Sequence, residues 1–177
     1  VLDRILAGAC AGAAGPRSVR TGLPALDDRL GAINPKDYVL LGGRPNAGKS
    51  MLAMQIARHS AISRGLKVLY FSYEMPVEQQ DYRNFSALAG IPYSRLRDEP
   101  HALGWCEVDD LRRAQVELSS GAGNLVVREQ PRDLLRLGNL VKSTAYEEGL
   151  DLVVVDTLNK VQAPGKPWEA IGLVGET

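Results

Sequence analysis

The sequence predicts an α/β fold, a parallel sheet with helices on both faces, and three observations predict it. The stretch GRPNAGKS at 43–50 stands between an apolar run, Tyr38-Val39-Leu40-Leu41, and the amphipathic segment MLAMQIARHSAISRG. Strand-like and helix-like patterns alternate from there onward. The most apolar segment, DLVVVD at 151–156, is β-branched and uninterrupted, as a strand buried on both faces must be.

Taken in order, Asp37 to Gly42 reads as a strand and Lys49 to about Arg64 as a helix. KVLYFS at 67–72 is the next strand, and a helix from Pro76 to about Gly90 follows, opened by proline with Glu78 in its first turn. A polar helical stretch, Glu107 to Leu118, leads to a short strand, Asn124 to Arg128, then a helix from about Arg132 to Glu148, then the strand 151–156. In such an alternation the ligand crevice lies at the carboxyl ends of the strands.

GRPNAGKS is placed at such an end, and its chemistry is that of a phosphate site. A chain that leaves a strand at Gly43, wraps through Arg44-Pro45-Asn46-Ala47 and enters a helix at Gly48-Lys49-Ser50 gathers backbone N–H groups where the helix dipole favours negative charge. Gly43 and Gly48 allow close backbone approach, Lys49 reaches β and γ phosphates, and the Ser50 hydroxyl is placed for Mg²⁺. The nucleotide-contacting stretch is thus Gly43, Arg44, Pro45, Asn46, Ala47, Gly48, Lys49, Ser50 and Met51, with ATP and Mg²⁺ as its ligands.

Two acids end two of the strands. Asp156 closes LVVVD, where a carboxylate can hold a Mg²⁺-bound water beside Ser50. Glu74 follows KVLYFSY and can orient or deprotonate an attacking water. Each has a competing structural reading: Glu74 as an acid complementing the next helix's N-terminus, Asp156 as a cap or turn residue before Thr157.

Bulk properties set the limits. A chain of 177 residues with 45% apolar and 24% charged residues is long enough for one well-buried domain. Lys plus Arg equals Asp plus Glu at 21 each, so no global field announces a nucleic-acid or membrane partner. Cys10 and Cys106 lack metal-ligand spacing and read as reduced, small apolar residues. His59 and His101 have no partner at ligand spacing, and Trp105 and Trp168 read as packing residues. The pairs Arg112-Arg113, Arg95 with Arg97, and Arg132 with Arg136 read as solvated faces. ILAGACAGAAG near the start has small residues like a signal-peptide cleavage region, but only a short apolar run follows Asp3 and Arg4, and a linker helix ending at Gly15-Pro16 is the expectation. No apolar stretch approaches the roughly 20 residues of a membrane span.

The motifs together resemble a known family. TGLPALDDRLG at 21–31, the strand DYVLLGG, the loop RPNAGKS with its Arg-Pro, MLAMQIA, FSYEMP at 71–76 and LDLVVVDTL at 150–158 are similar in order and spacing to the RecA-like ATPase domain of DnaB-type replicative DNA helicases. The resemblance runs from about Thr21 to about Gln162. It implies Lys49 and Glu74 as catalytic residues, Ser50 and Asp156 as the magnesium residues, and a RecA-like phosphate-loop fold.

The same resemblance implies an ATP-dependent helicase core acting in replication in the cytoplasm, translocating on single-stranded DNA as a homo-oligomer, a hexamer at full length, with the isolated 177 residues expected to be weakly active. Two differences stand out. Thr157 and Asn159 occupy positions where the family commonly has an aromatic and a glutamine. The family's domain also continues with further strands, a sensor glutamine, DNA-binding loops and an arginine for the neighbouring subunit, so the expectation is a linker helix over 1–20 and a partial RecA-like domain over 21–177, incomplete at its C-terminus. The alternative class is a nucleotide-binding accessory module, or a KaiC- or recombinase-like ATPase, with little intrinsic hydrolysis.

Overall fold

Parallel pairing sets the frame. In the computed structural model, which describes residues 17–162, β1 (Val68–Ser72), β2 (Leu125–Arg128) and β3 (Leu152–Asp156) form a parallel sheet in the order β2-β1-β3. The central strand, β1, is buried along its whole length, which is why VLYFS carries no alternation of polar and apolar residues. Its pairing aligns Ser72 with Asp156 on one side and Phe71 with Arg128 on the other.

Period-2 geometry sends the side chains of β1 to two separate cores. Val68 and Tyr70 join Val19, Met54, Ala57, Ala61 and Leu66 on one face. Leu69, Phe71 and Tyr73 join Leu137 on the other. The first core is capped by α2 (Lys49–Arg58), the second by α6 (Leu134–Glu147), so helices cover both faces as expected. Each large apolar side chain moved out of water contributes about 1.5–3 kcal/mol.

The remaining helices are α1 (Pro24–Leu30), α3 (Val77–Ala89), α4 (Tyr93–Asp98) and α5 (Trp105–Ser120), with α3 packed on α5. Three helix starts show local chemistry at work. Asp133 caps α6 by accepting from Arg136 N–H at 2.9 Å. Glu107, in the first turn of α5, reaches back to accept from Gly104 N–H at 2.8 Å. Thr21 and Gly22 tie the segment before α1 to Asp27, whose carboxyl is held below its usual range first by the Thr21 hydroxyl. The helix expected from Lys49 to Arg64 forms, with its last turn, His59–Ser63, widened to π geometry.

One expected element does not form. Asp37 to Gly42 joins no β-ladder among the described residues, and Tyr38, Val39, Leu40 and Leu41 are 59%, 57%, 74% and 42% exposed. Strand composition alone does not make a strand; ladder partners and covering layers do, and no described residue pairs with this segment. Trp105 and Cys106 also depart from expectation. Both sit at the exposed start of α5, Trp105 88% exposed, rather than in a core. The basic pairs behave largely as expected: Arg95 bridges Glu107, Arg97 bridges Asp98, and Arg113 bridges Asp109 and Asp110. The N-terminal linker helix before Pro16, Cys10, Trp168 and the final residues lie outside the described part.

Candidate nucleotide site

The loop between Gly43 and α2 reaches the carboxyl edge of the sheet by a length argument. From Lys49 to Ser63 the helix and its π turn run about 22 Å, at about 1.5 Å per residue, and the chain then turns at Gly65, in the left-handed region, directly into β1. A helix whose far end meets the start of β1, and which packs against β3, has its N-terminus near the strands' carboxyl ends, because a five-residue strand is about 17 Å long.

Within the loop the backbone has the form that makes N–H groups converge. Asn46 (φ 61°) and Gly48 (φ 85°) are both left-handed, and Gly48 passes straight into right-handed Lys49. Only glycine avoids a steric cost at such a φ, while asparagine tolerates it. A Cβ on Gly43 would stand 3.4 Å from Lys49 Cγ and 3.7 Å from the Ala47 Cβ, filling the cradle. Lys49 Nζ donates to the Arg44 carbonyl at 2.9 Å, so a cation already sits across the loop. Gly43, Arg44, Pro45, Asn46 and Ala47 are exposed, as is Met51, whereas Gly48, Lys49 and Ser50 are half-buried. These features fit an oxyanion.

The two acids are brought together by the sheet. Tyr73 N–H donates to the Asp156 carbonyl at 2.6 Å, so Glu74, one residue on, leaves the sheet beside Asp156. Glu74 is exposed and makes no hydrogen bond among the described residues. The helix-capping job proposed for it is done by another residue: Glu129, just past β2, accepts from Val77 N–H at 2.7 Å, at the first position of α3. Asp156, 9% exposed, caps nothing either. Its Oδ2 accepts from the buried Tyr70 hydroxyl at 2.8 Å, and Oδ1 accepts no hydrogen bond among the described residues.

The turn that carries Glu74 is fixed from several sides. The Ser72 hydroxyl donates to the Met75 carbonyl at 2.5 Å, Arg132 donates to the Tyr73 carbonyl at 3.3 Å, and the Tyr73 phenol donates to the Pro131 carbonyl. Burial pushes the Tyr73 phenol up to about 12, against the lowering effect of the Arg132 guanidinium, 5.8 Å over its ring. Glu129 and Tyr70 are contributors that motif reading passes over, and Arg132, expected on a solvated face, is instead half-buried against Tyr73. The one signal for Tyr70 is a polar tip inside an otherwise apolar strand, and Glu129 carries none, because its partner is a backbone atom far away in sequence.

A parallel sheet covered on both faces, with a phosphate-type loop and two acids at one edge, defines a class of protein: RecA-like domains of the phosphate-loop kind. Within that class the chain belongs to the DnaB-like helicase C-terminal domain family, which matches residues 18–170. It is 28% identical over 174 residues to the replicative DNA helicase DnaB of Pasteurella multocida, covering 93% of this chain and 35% of that protein. The corresponding helicase of Haemophilus influenzae is 27% identical over 159 residues, covering 85% of this chain and 32% of the relative. The chain therefore spans about a third of these relatives' length. Among solved structures, a DnaB-like replicative helicase studied with its interactions with primase superposes with a TM-score of 0.73 at 18% identity, over 93% of this chain and 40% of that one. A further solved ATPase domain gives 0.76 at 16% identity, over 98% of this chain and 62% of that one. At these identities the superpositions establish the RecA-like fold.

Proposed function

We propose that this chain is the ATP-hydrolysing core of a replicative DNA helicase, binding MgATP and coupling its hydrolysis to movement along single-stranded DNA. The observation that carries this reading is the Tyr73 to Asp156 backbone hydrogen bond, which sets Glu74 and Asp156 on adjacent strand ends at the edge where α2 begins. Family membership supports it.

In this reading the loop from Gly43 to Ser50, with Met51 beside it, cradles the phosphates through its N–H groups. Lys49 exchanges the Arg44 carbonyl for β and γ phosphate oxygens, gaining charge-assisted contacts in place of a neutral one. Ser50 and Asp156 would hold a magnesium ion, which when bound would supply charge neutralisation at the phosphates. Among the described residues no three His, Cys, Asp or Glu side chains gather, which suits an ion held mostly by phosphate and water. Glu74, uncommitted to helix α3, orients the attacking water and takes its proton.

The exposure of Gly43 to Ala47 leaves the loop open to a neighbouring copy, and the reading takes the full-length assembly to be a homo-oligomeric ring, a hexamer, in the cytoplasm. No helix among the described residues is long and apolar enough to cross a membrane. The test is steady-state ATP hydrolysis over a range of protein concentrations, with and without single-stranded DNA. A neighbour-completed site gives turnover per chain that climbs with concentration and with DNA. Nucleotide binding with flat, negligible turnover throughout would favour the accessory-module alternative.

A further inference from the structure

The Tyr70 hydroxyl has no place in the roles above, yet it is the sole hydrogen-bond partner of the Asp156 carboxylate among the described residues. We propose that Tyr70 is a positioning residue for Asp156: its O–H holds Oδ2 and thereby fixes the carboxylate so that Oδ1 is left for a magnesium-bound water. This inference rests on the nucleotide reading of the site.

The geometry is that of a built support. Tyr70 lies in the middle of the central strand with no exposed surface, and Asp156 ends the neighbouring strand. The tyrosine ring is packed in the core with Met54 and Ala57 of α2, the helix that begins at Lys49 and Ser50. The phenol therefore ties the acid to the same core that seats the loop. Gln80 of α3, also buried, approaches the same phenol, and its amide nitrogen makes no hydrogen bond. A carboxylate with a free χ1 and χ2 loses conformational freedom each time it binds an ion, and a preset rotamer removes that cost.

The test is calorimetric titration of ADP across a series of magnesium concentrations, using the wild-type chain, Tyr70→Phe, Asp156→Asn and the double variant. Phenylalanine keeps every ring contact and removes the donor alone. In the wild type, ADP affinity rises with magnesium. Tyr70→Phe is expected to bind ADP without magnesium as the wild type does, but to need about tenfold more magnesium for half-maximal enhancement, the loss of a supporting contact to a metal ligand costing roughly 10–100-fold. A purely structural tyrosine would shift the melting temperature and leave the magnesium dependence unchanged, and that result overturns the inference. On the Asp156→Asn background, Tyr70→Phe should change nothing further. A further shift there would show that Tyr70 does not act through Asp156, and this comparison holds even if Tyr70→Phe alone fails to fold. A wild-type chain that binds no ADP at any magnesium concentration overturns the nucleotide reading itself.

Discussion

Lys49 and Glu74 illustrate how a single side chain is read once its neighbours are known. Lys49 Nζ rests on the Arg44 carbonyl at 2.9 Å, a neutral partner that a phosphate oxygen outcompetes. Lys49→Ala should therefore lower MgATP affinity by at least about tenfold, a single charge-assisted contact being worth roughly 1.5–3 kcal/mol. Because the ammonium lies at a half-buried loop mouth, the thermal transition should stay where it is. Calorimetry and a melt on the same sample check both, and unchanged affinity would remove the loop from the mechanism. For Glu74 the relevant neighbour is Glu129, which already satisfies Val77 N–H. Glu74→Gln should then leave stability within about 0.5 kcal/mol, as surface changes usually do, while ATP still binds and turnover collapses. Persisting turnover with a lowered melting temperature would return Glu74 to the helix terminus.

Elements are joined by a residue that no motif singles out. Asp151, just before β3, accepts from Arg17 N–H at 3.1 Å, from the Arg17 guanidinium at 2.9 Å and from Lys67 N–H at 2.8 Å. One carboxylate thus links the start of the described chain, the entry to β1 and the entry to β3. Burial raises the Asp151 carboxyl, but the hydrogen bonds from Arg17 and Lys67 together bring it below its usual range. A lowered folded-state value means that the stabilisation is complete above the unfolded carboxyl value of about 3.9 and fades as pH falls through the folded value. Asp151→Asn should accordingly cost about 2 kcal/mol at pH 7, the scale of hydrogen bonds to a charged group. Urea unfolding at descending pH should show the wild type approaching the variant on acidification. A pH-independent gap would mean that shape, rather than charge, links these elements.

At the scale of the whole molecule, the chain presents a run of apolar side chains to solvent. Leu40 is 74% exposed within the run Tyr38 to Leu41. Contiguous exposed apolar residues bind hydrophobic dyes and promote association. Leu40→Lys should lower the fluorescence of a bound hydrophobic dye and raise solubility, with the melting temperature nearly unchanged, since the leucine buries little surface in this chain. An unaltered dye signal would show the run to be covered in solution.

What the sequence determined by itself was everything encoded by local spacing. The β-branched run at 152–156, the period of α6 and the glycine and lysine positions of GRPNAGKS each specify their own geometry, because strand, helix and loop formation depend on residues within a few positions of one another. The pairing of Asp156 with Tyr70, the service of Glu129 to Val77 and the clamp on Asp151 were decided only by the tertiary structure. Those partners lie between 52 and 134 residues apart, and only the packed sheet brings them within hydrogen-bond reach. The same physics explains the one failed strand. DYVLLGG has strand composition, but composition sets a propensity, whereas a ladder exists only where another backbone arrives to complete it.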